Sequence, residues 1–256
     1  FVAGSHNQIN QPYATVAGGQ LNTVSAIWGS IAGGKNNWVN GNGAAILGGR
    51  YNNASGAQST IVGGGGNSLV DGNDATGELS SVLGGHDNIA SAMYSVIGGG
   101  LENVASGTYS AVSGGRRGAT NGTASSVSGG VGNSATGDYA SILGGGQIVE
   151  IEKPPATFIN GNIASGLASA VVGGASNEAS GERSVITAGY NGVASGRSAA
   201  IHGGGSSFAG FTNTAAGELS VVVGGSGTET SKTHAVVVGN SENVWVNKDS
   251  VGAPVH

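Results

Sequence analysis

Along most of this chain a β-branched aliphatic residue returns every fifteenth position, flanked by small uncharged residues and followed by a pair of glycines. The stretch 80–107, SSVLGGHDNIASAMYSVIGGGLENVASG, writes the unit S-x-V-x-G-G-x-x-N-x-A-S-G-x-Y nearly twice. We number each unit from its second glycine as position 0, which falls on Gly4, Gly19, Gly34, Gly49, Gly64, Gly85, Gly100, Gly115, Gly130, Gly145, Gly174, Gly189, Gly204, Gly225 and Asn240, with a degenerate copy expected around Ile159. Position −3 is then Val16, Ile31, Ile46, Ile61, Val82, Ile97, Val112, Val127, Ile142, Val171, Ile186, Ile201, Val222 and Val237. Stiff, β-branched side chains suit a pleated, half-buried surface and not a helix. The pattern predicts a short strand at this point of every unit, pairing in parallel with its neighbour about 4.8 Å along an axis.

The remaining positions refine this picture of stacked coils. Position −5 is mostly Ser or Ala and position +5 usually Ala (Ala54, Ala90, Ala105 and others), so each coil points one large and several small groups inward. The result is a narrow tube that overpacks readily and has no room for a cofactor. The glycines at −1, 0 and +7 are expected at corners, where φ is positive or backbones approach closely. Asn recurs at +3 (Asn7, Asn22, Asn37, Asn52, Asn67, Asn88, Asn103, Asn133, Asn162, Asn177, Asn243). It serves either as a hydrogen-bonded row along the axis or as a polar ladder for a ligand. Positions −4 and −2 flank the inward aliphatic and face out, and none of the twenty-eight residues there is charged. A strand surface left in water carries Lys or Glu, so this face is expected to be covered, most simply by further copies of the chain in a closed ring.

Composition excludes several classes. Gly numbers 52 and Pro 4, without the G-X-Y period of collagen, and the fixed phase of the aliphatics argues against a disordered linker. The net charge of −5 is spread thinly, which gives no grip on nucleic acid or an anionic membrane. Cys is absent, and no metal or cofactor is expected, because the five His fall at different phases of the repeat. No G-x-S-x-G elbow or Walker loop is present, so the chain is read as a non-enzyme. It opens partway into a repeat at Phe1 with no signal peptide, and is expected to be a piece of something longer.

The unit, in SSVLGGHDNIASAMYS and YSAVSGGRRGATNGTAS, resembles the YadA-like head of trimeric autotransporter adhesins, in a long, Gly-Gly variant of that repeat. The likeness covers residues 1 to about 243, with 244–256 looking like the end of a head leading toward a neck, where Trp245 replaces Ala at +5. It implies an all-β, left-handed parallel β-roll, a homotrimer, a place on the bacterial outer membrane, and adhesion in virulence to a host matrix protein, a cell-surface glycan or an abiotic surface. A phage tail-fibre segment and a structural spacer are the alternatives built from the same repeat.

Three steps break the fifteen-residue beat, with inserts near 65–74, 146–158 and 205–212. Within the insert near 146–158, residues 147–152 alternate like a strand that Pro154-Pro155 stops. Inserts in repeat arrays map to loops and often bind, which makes Lys153, Phe208 and Phe211 candidate ligand contacts. Arg116 and Arg117 form an adjacent basic pair, read as either a solvated corner or a contact for an anionic glycan or matrix protein. Position −6 holds Tyr13, Trp28, Tyr94, Tyr109 and Tyr139, a broken aromatic stripe suited to packing at a chain–chain seam or to stacking on sugars.

Overall fold

The computed structural model describes residues 4–68, 71–152, 155–205 and 212–239, and divides into two compact units, residues 1–139 and 140–256. Both are built from fifteen-residue coils that each contribute two short strands to two parallel sheets, fourteen coils in all among the described residues, with no helix. The chain is therefore a parallel β-solenoid. One sheet takes the residues at +4 and +5, as in Ile89–Ala90 and Val104–Ala105. The other takes those at −4 and −3, as in Ser81–Val82 and Val96–Ile97. Pairing is in register from coil to coil, Val82 beside Ile97 and Ala90 beside Ala105.

The inward assignment holds at every coil: all fourteen residues at −3 are at most 3% exposed. Val82, Ile97, Val112 and Val127 form this aliphatic row in the first unit, and Ile142, Val171, Ile186 and Val222 in the second. The alanines at +5, from Ala54 to Ala215, are fully buried opposite them, and the small residues at −5 complete the filling. Where +5 is larger, as at Val24 and Val39, both fully buried, the −5 residue between them is glycine: a Cβ on Gly29 would meet their Cγ1 atoms at 2.6 and 2.9 Å, so the two positions share a fixed volume.

The asparagine row is structural. Asn88 Nδ2 donates to Asn73 Oδ1 at 3.0 Å, to the Gly84 carbonyl at 3.1 Å and to the Gly100 carbonyl at 3.0 Å. Its own Oδ1 accepts the Asn103 backbone N–H at 3.1 Å. The side chain is fully buried, so its amide meets the needs of corner carbonyls that water cannot reach. This removes the polar-ligand reading of the ladder. One member is corrected: Asn73, not Asn67, stands in the row, its backbone N–H donating to Asn52 Oδ1 at 3.1 Å, whereas the Asn67 N–H lies in the insert and donates to Asp71. Asn243 lies outside the described residues.

The corners differ in part from expectation. Position 0 does have positive φ, 94° at Gly34, and a Cβ there would meet the Gly49 carbonyl oxygen at 2.2 Å. At +7 φ is ordinary, and glycine is required by proximity alone, since a Cβ on Gly56 would lie 2.0 Å from the Gly77 oxygen. At −1 most glycines have neither constraint; a Cβ on Gly33 or Gly84 meets nothing. The other positive-φ corners, at +2 and −6, are held mostly by non-glycines, including Glu102 (58°), Arg117 (55°), Tyr94 (59°) and Tyr109 (60°), with Gly43, Gly132 and Gly227 the glycines among them. At −6 the backbone N–H bonds the carbonyl one coil back, as Tyr94 does to Glu78 at 3.0 Å, and this bond offsets the roughly 1–2 kcal/mol cost of the conformation.

All three inserts enter the winding at one joint, between position 0 and the row asparagine. Gly64 leads to Asn73, Gly145 to Asn162 and Gly204 to Asn213, and each row asparagine still bonds the glycine carbonyl of its own corner, Gly63, Gly144 or Gly203. Each departure carries a third glycine with positive φ: Gly65 (96°), Gly146 (82°) and Gly205 (87°). The long insert is a hairpin, Gln147–Glu152 antiparallel to Pro155–Asn160. Ile159 is thus in a returning strand beside Ile148 and not in a degenerate coil. Pro155 opens that strand, a place where proline's missing N–H is tolerated.

Candidate functional site

The side chains available for recognition sit on corners, inserts and the outward face of the −4/−3 sheet. The two arginines part company. Arg117, at the positive-φ corner, pairs through Nε with the Glu102 carboxylate of the preceding coil. Arg116 is half-buried, bridges Leu101 and Val131 through its backbone, and its Nε is buried without a hydrogen-bond partner. Arg117 is therefore neutralised within the chain, which leaves less positive potential for an anionic ligand than the sequence pair suggests. Lys153, Phe208, Phe211 and Trp245 lie outside the described residues.

The first insert is closed by its own carboxylate. Asp71 accepts the Ser68 hydroxyl and the Ser68 N–H, both at 2.6 Å, and the Asn67 N–H at 3.3 Å. The Ser68 hydroxyl, followed by these N–H groups and the nearby His86, holds its carboxyl below the usual range. His86 Nε2 is 3.8 Å from Asp71. Among the described residues, no three His, Cys, Asp or Glu side chains converge as a metal site would require.

The aromatic stripe is confined to the first unit and is exposed. Tyr94 and Tyr109 stack with centroids 4.8 Å apart and planes 4° from parallel, and Tyr13 and Trp28 stack at 6.1 Å and 24°. A further pair, Trp38 and Tyr51 at 6.4 Å, lies on the other flank of the coil and was not anticipated, because its members occupy different repeat positions, +4 and +2. Coil stacking places residues at the same position about one strand spacing apart, so aromatics in adjacent units stack on each other.

The outward side of the −4/−3 sheet carries Leu47, Val62 and Leu83 in the first unit, and Leu143, Val172 and Val238 in the second, all exposed. Leu83 and Leu143 are 51% and 55% accessible, on a surface with no charged neighbour at −4 or −2. No helix among the described residues is long and apolar enough to cross a membrane. No family model matches the chain, and no curated protein is significantly similar to it.

Proposed function

We propose that the chain is the head of a non-enzymatic trimeric adhesin: a left-handed β-roll, three copies of which cover one another's uncharged faces and present corners and inserts from the bacterial outer membrane to a matrix protein or glycan. The observation that carries this reading is the uncharged outward sheet face, continued coil after coil in each unit with Leu47, Leu83, Leu143 and Val172 exposed. Scattered surface leucines need no explanation, but an uncharged strand face on which exposed aliphatics recur between small polar residues, with no gatekeeping charge, is an aggregation hazard unless something covers it. Identical copies cover it with one sequence, since the row on one chain repeats at the spacing of the row on another. Adhesion then works by avidity, with three equivalent sets of corners per head turning weak contacts into a durable one.

Sedimentation of the chain alone and of a Leu83→Lys/Leu143→Lys variant tests the assembly. A trimer at micromolar concentration that dissociates in the variant supports the reading, and a wild-type monomer overturns it. Beads coated with the protein and offered to matrix-coated and cell-coated surfaces test adhesion separately; no retention above uncoated beads removes that part.

A further inference from the structure

The aromatic stripe contains a gap one coil wide, bordered by two exposed tyrosines. Tyr109, Ala124 and Tyr139 occupy the same corner position in three successive coils, with φ of 60°, 52° and 58°. Each is fixed by the same bond to the coil before it, Tyr109 N–H to the Met93 oxygen at 3.1 Å, Ala124 to Thr108 at 2.8 Å and Tyr139 to Thr123 at 2.8 Å. The two tyrosines therefore stand two strand spacings apart, roughly 9.6 Å, over a single methyl group. Tyr94 covers one face of the Tyr109 ring. Tyr109 and Tyr139 are 59% and 63% exposed, against 40% for Tyr94, which has a large neighbour on both sides.

We propose that Tyr109, Ala124 and Tyr139 form a slot that takes one pyranose ring of a neutral glycan. A ring midway in the slot lies roughly 4.8 Å from each neighbour, inside the range over which aromatic faces attract a stacked partner. The adjoining row of the same corner supplies hydrogen-bonding groups, Thr108, Thr123 and Asp138, and the Asp138 carboxylate accepts the Thr123 N–H at 2.7 Å while both residues remain exposed. A sugar ring has an apolar C–H face and a rim of hydroxyls, and the slot offers both complements. A nucleotide is disfavoured, because positions −7 and −6 carry no Lys or Arg from Glu78 to Tyr139 to meet a phosphate. An acidic sugar meets Asp138. The assignment deepens the surface-binding reading above and rests on it for its biological use.

Saturation-transfer NMR with neutral hexasaccharides of glucose, mannose and galactose, and with a uronic-acid hexasaccharide for contrast, tests the slot. Transfer from the tyrosine rings to at least one neutral sugar is expected. Ala124→Tyr continues the ladder with a residue the same corner already carries in the coils on either side, and Tyr109→Ala removes a wall; each is expected to weaken binding on the order of tenfold. Tyr13→Ala leaves it unchanged. No transfer to any neutral sugar, or undiminished affinity in a folded Ala124→Tyr, overturns the proposal. So does a fall in oligomeric state in Ala124→Tyr, which would assign the slot to a side chain of a second copy. Undiminished bead adhesion by Ala124→Tyr with no sugar binding would sink the slot and spare the adhesin reading; sugar binding without adhesion would do the reverse.

Discussion

The two units have the same interior and different corners. At −6 the first unit carries Tyr13, Trp28, Tyr94, Tyr109 and Tyr139 besides Gly43, Gln58, Leu79 and Ala124, and the second carries Ala168, Arg183, Ser198, Leu219 and His234 and no aromatic ring but the imidazole, yet φ at all the non-glycines lies between 52° and 60°. At Tyr94, Tyr109, Tyr139, Arg183, Ser198, Leu219 and His234 the backbone N–H bonds the coil behind whatever the side chain, so the side chain is free to change. In the second unit the freedom is used for charge: Arg183 lies 3.3 Å from Glu182, and Arg197 lies 3.9 Å from Glu182 and 3.3 Å from Glu218. Such exposed pairs are worth about 0–1 kcal/mol each. Interior positions show the opposite behaviour, with aliphatics at −3 and mostly alanine at +5 in both. The interior fixes the winding, and the corners distinguish one stretch of the surface from another.

If the interiors are equivalent, the same damage must cost the same in each. Val82→Asp in the first unit and Val222→Asp in the second each bury an unpaired charge, with an expected loss of several kcal/mol that opens neighbouring coils as well. Hydrogen exchange resolved by unit checks this, and a well-protected mutant in either unit breaks the comparison. Next in size is the asparagine row, which is more complete in the first unit. Asn88→Leu strands the Gly84 carbonyl and the Asn103 N–H and leaves the Gly100 carbonyl with the His86 N–H alone, for a loss of about 3–5 kcal/mol by denaturant titration. Asn213→Leu should cost less, since its row neighbours at +3 are Gly192 and Thr228 and it lacks the amide-to-amide bond of Asn88.

The serines at −5 sharpen the contrast in the other direction. In the first unit the hydroxyls of Ser80, Ser95 and Ser125 donate at 2.7 Å to carbonyls at +7, with Ser59 the exception, whereas Ser169, Ser184 and Ser220 of the second are, like Ser59, buried with no partner. Ser184→Ala is therefore expected to be neutral or to stabilise by about 1 kcal/mol, and Ser95→Ala to destabilise by a similar amount. Opposite signs in thermal melts support the difference; equal signs remove it.

The smallest effect concerns Asp74, half-buried in the +4/+5 sheet of the first unit, where desolvation, and to a lesser degree the Asp87 charge, raises its carboxyl despite the Asn53 hydrogen bond. A raised acid pKa means that the folded state holds the proton longer than the unfolded one. Its contribution is present below the unfolded carboxylate range and is lost as pH rises through the folded value. Asp74→Asn should thus stabilise the protein at neutral pH and lose that advantage in acid, as melting at pH 7 and pH 3 would reveal.

Residues whose burial follows from their type were legible without coordinates. Val222 or Ala105 can face only the interior of a narrow tube, and a fifteen-residue phase assigns every such residue at once. The corners were less legible because tyrosine and glutamate carry no mark of a positive-φ backbone; the conformation is imposed by the coil behind. Asn67 was placed in the row because the count ran straight on from Gly64, and the third glycine at Gly65, Gly146 and Gly205 is the signal that the count must pause. The returning strand from Pro155 was hidden by prolines read as a stop. Of the candidate surfaces, the uncharged face was legible and the gap at Ala124 was not, since a missing side chain matters only once its neighbours are known to stand on both sides.

The shared joint of the three inserts means that this winding has a single port. Six or fourteen extra residues leave there and return to the next asparagine without shifting any coil by a residue. Variation in length at that seam is decoupled from the scaffold, so a foreign peptide bracketed by a third glycine and a row asparagine could be displayed on any coil, and lineages carrying this repeat could exchange such segments while keeping the coils unchanged.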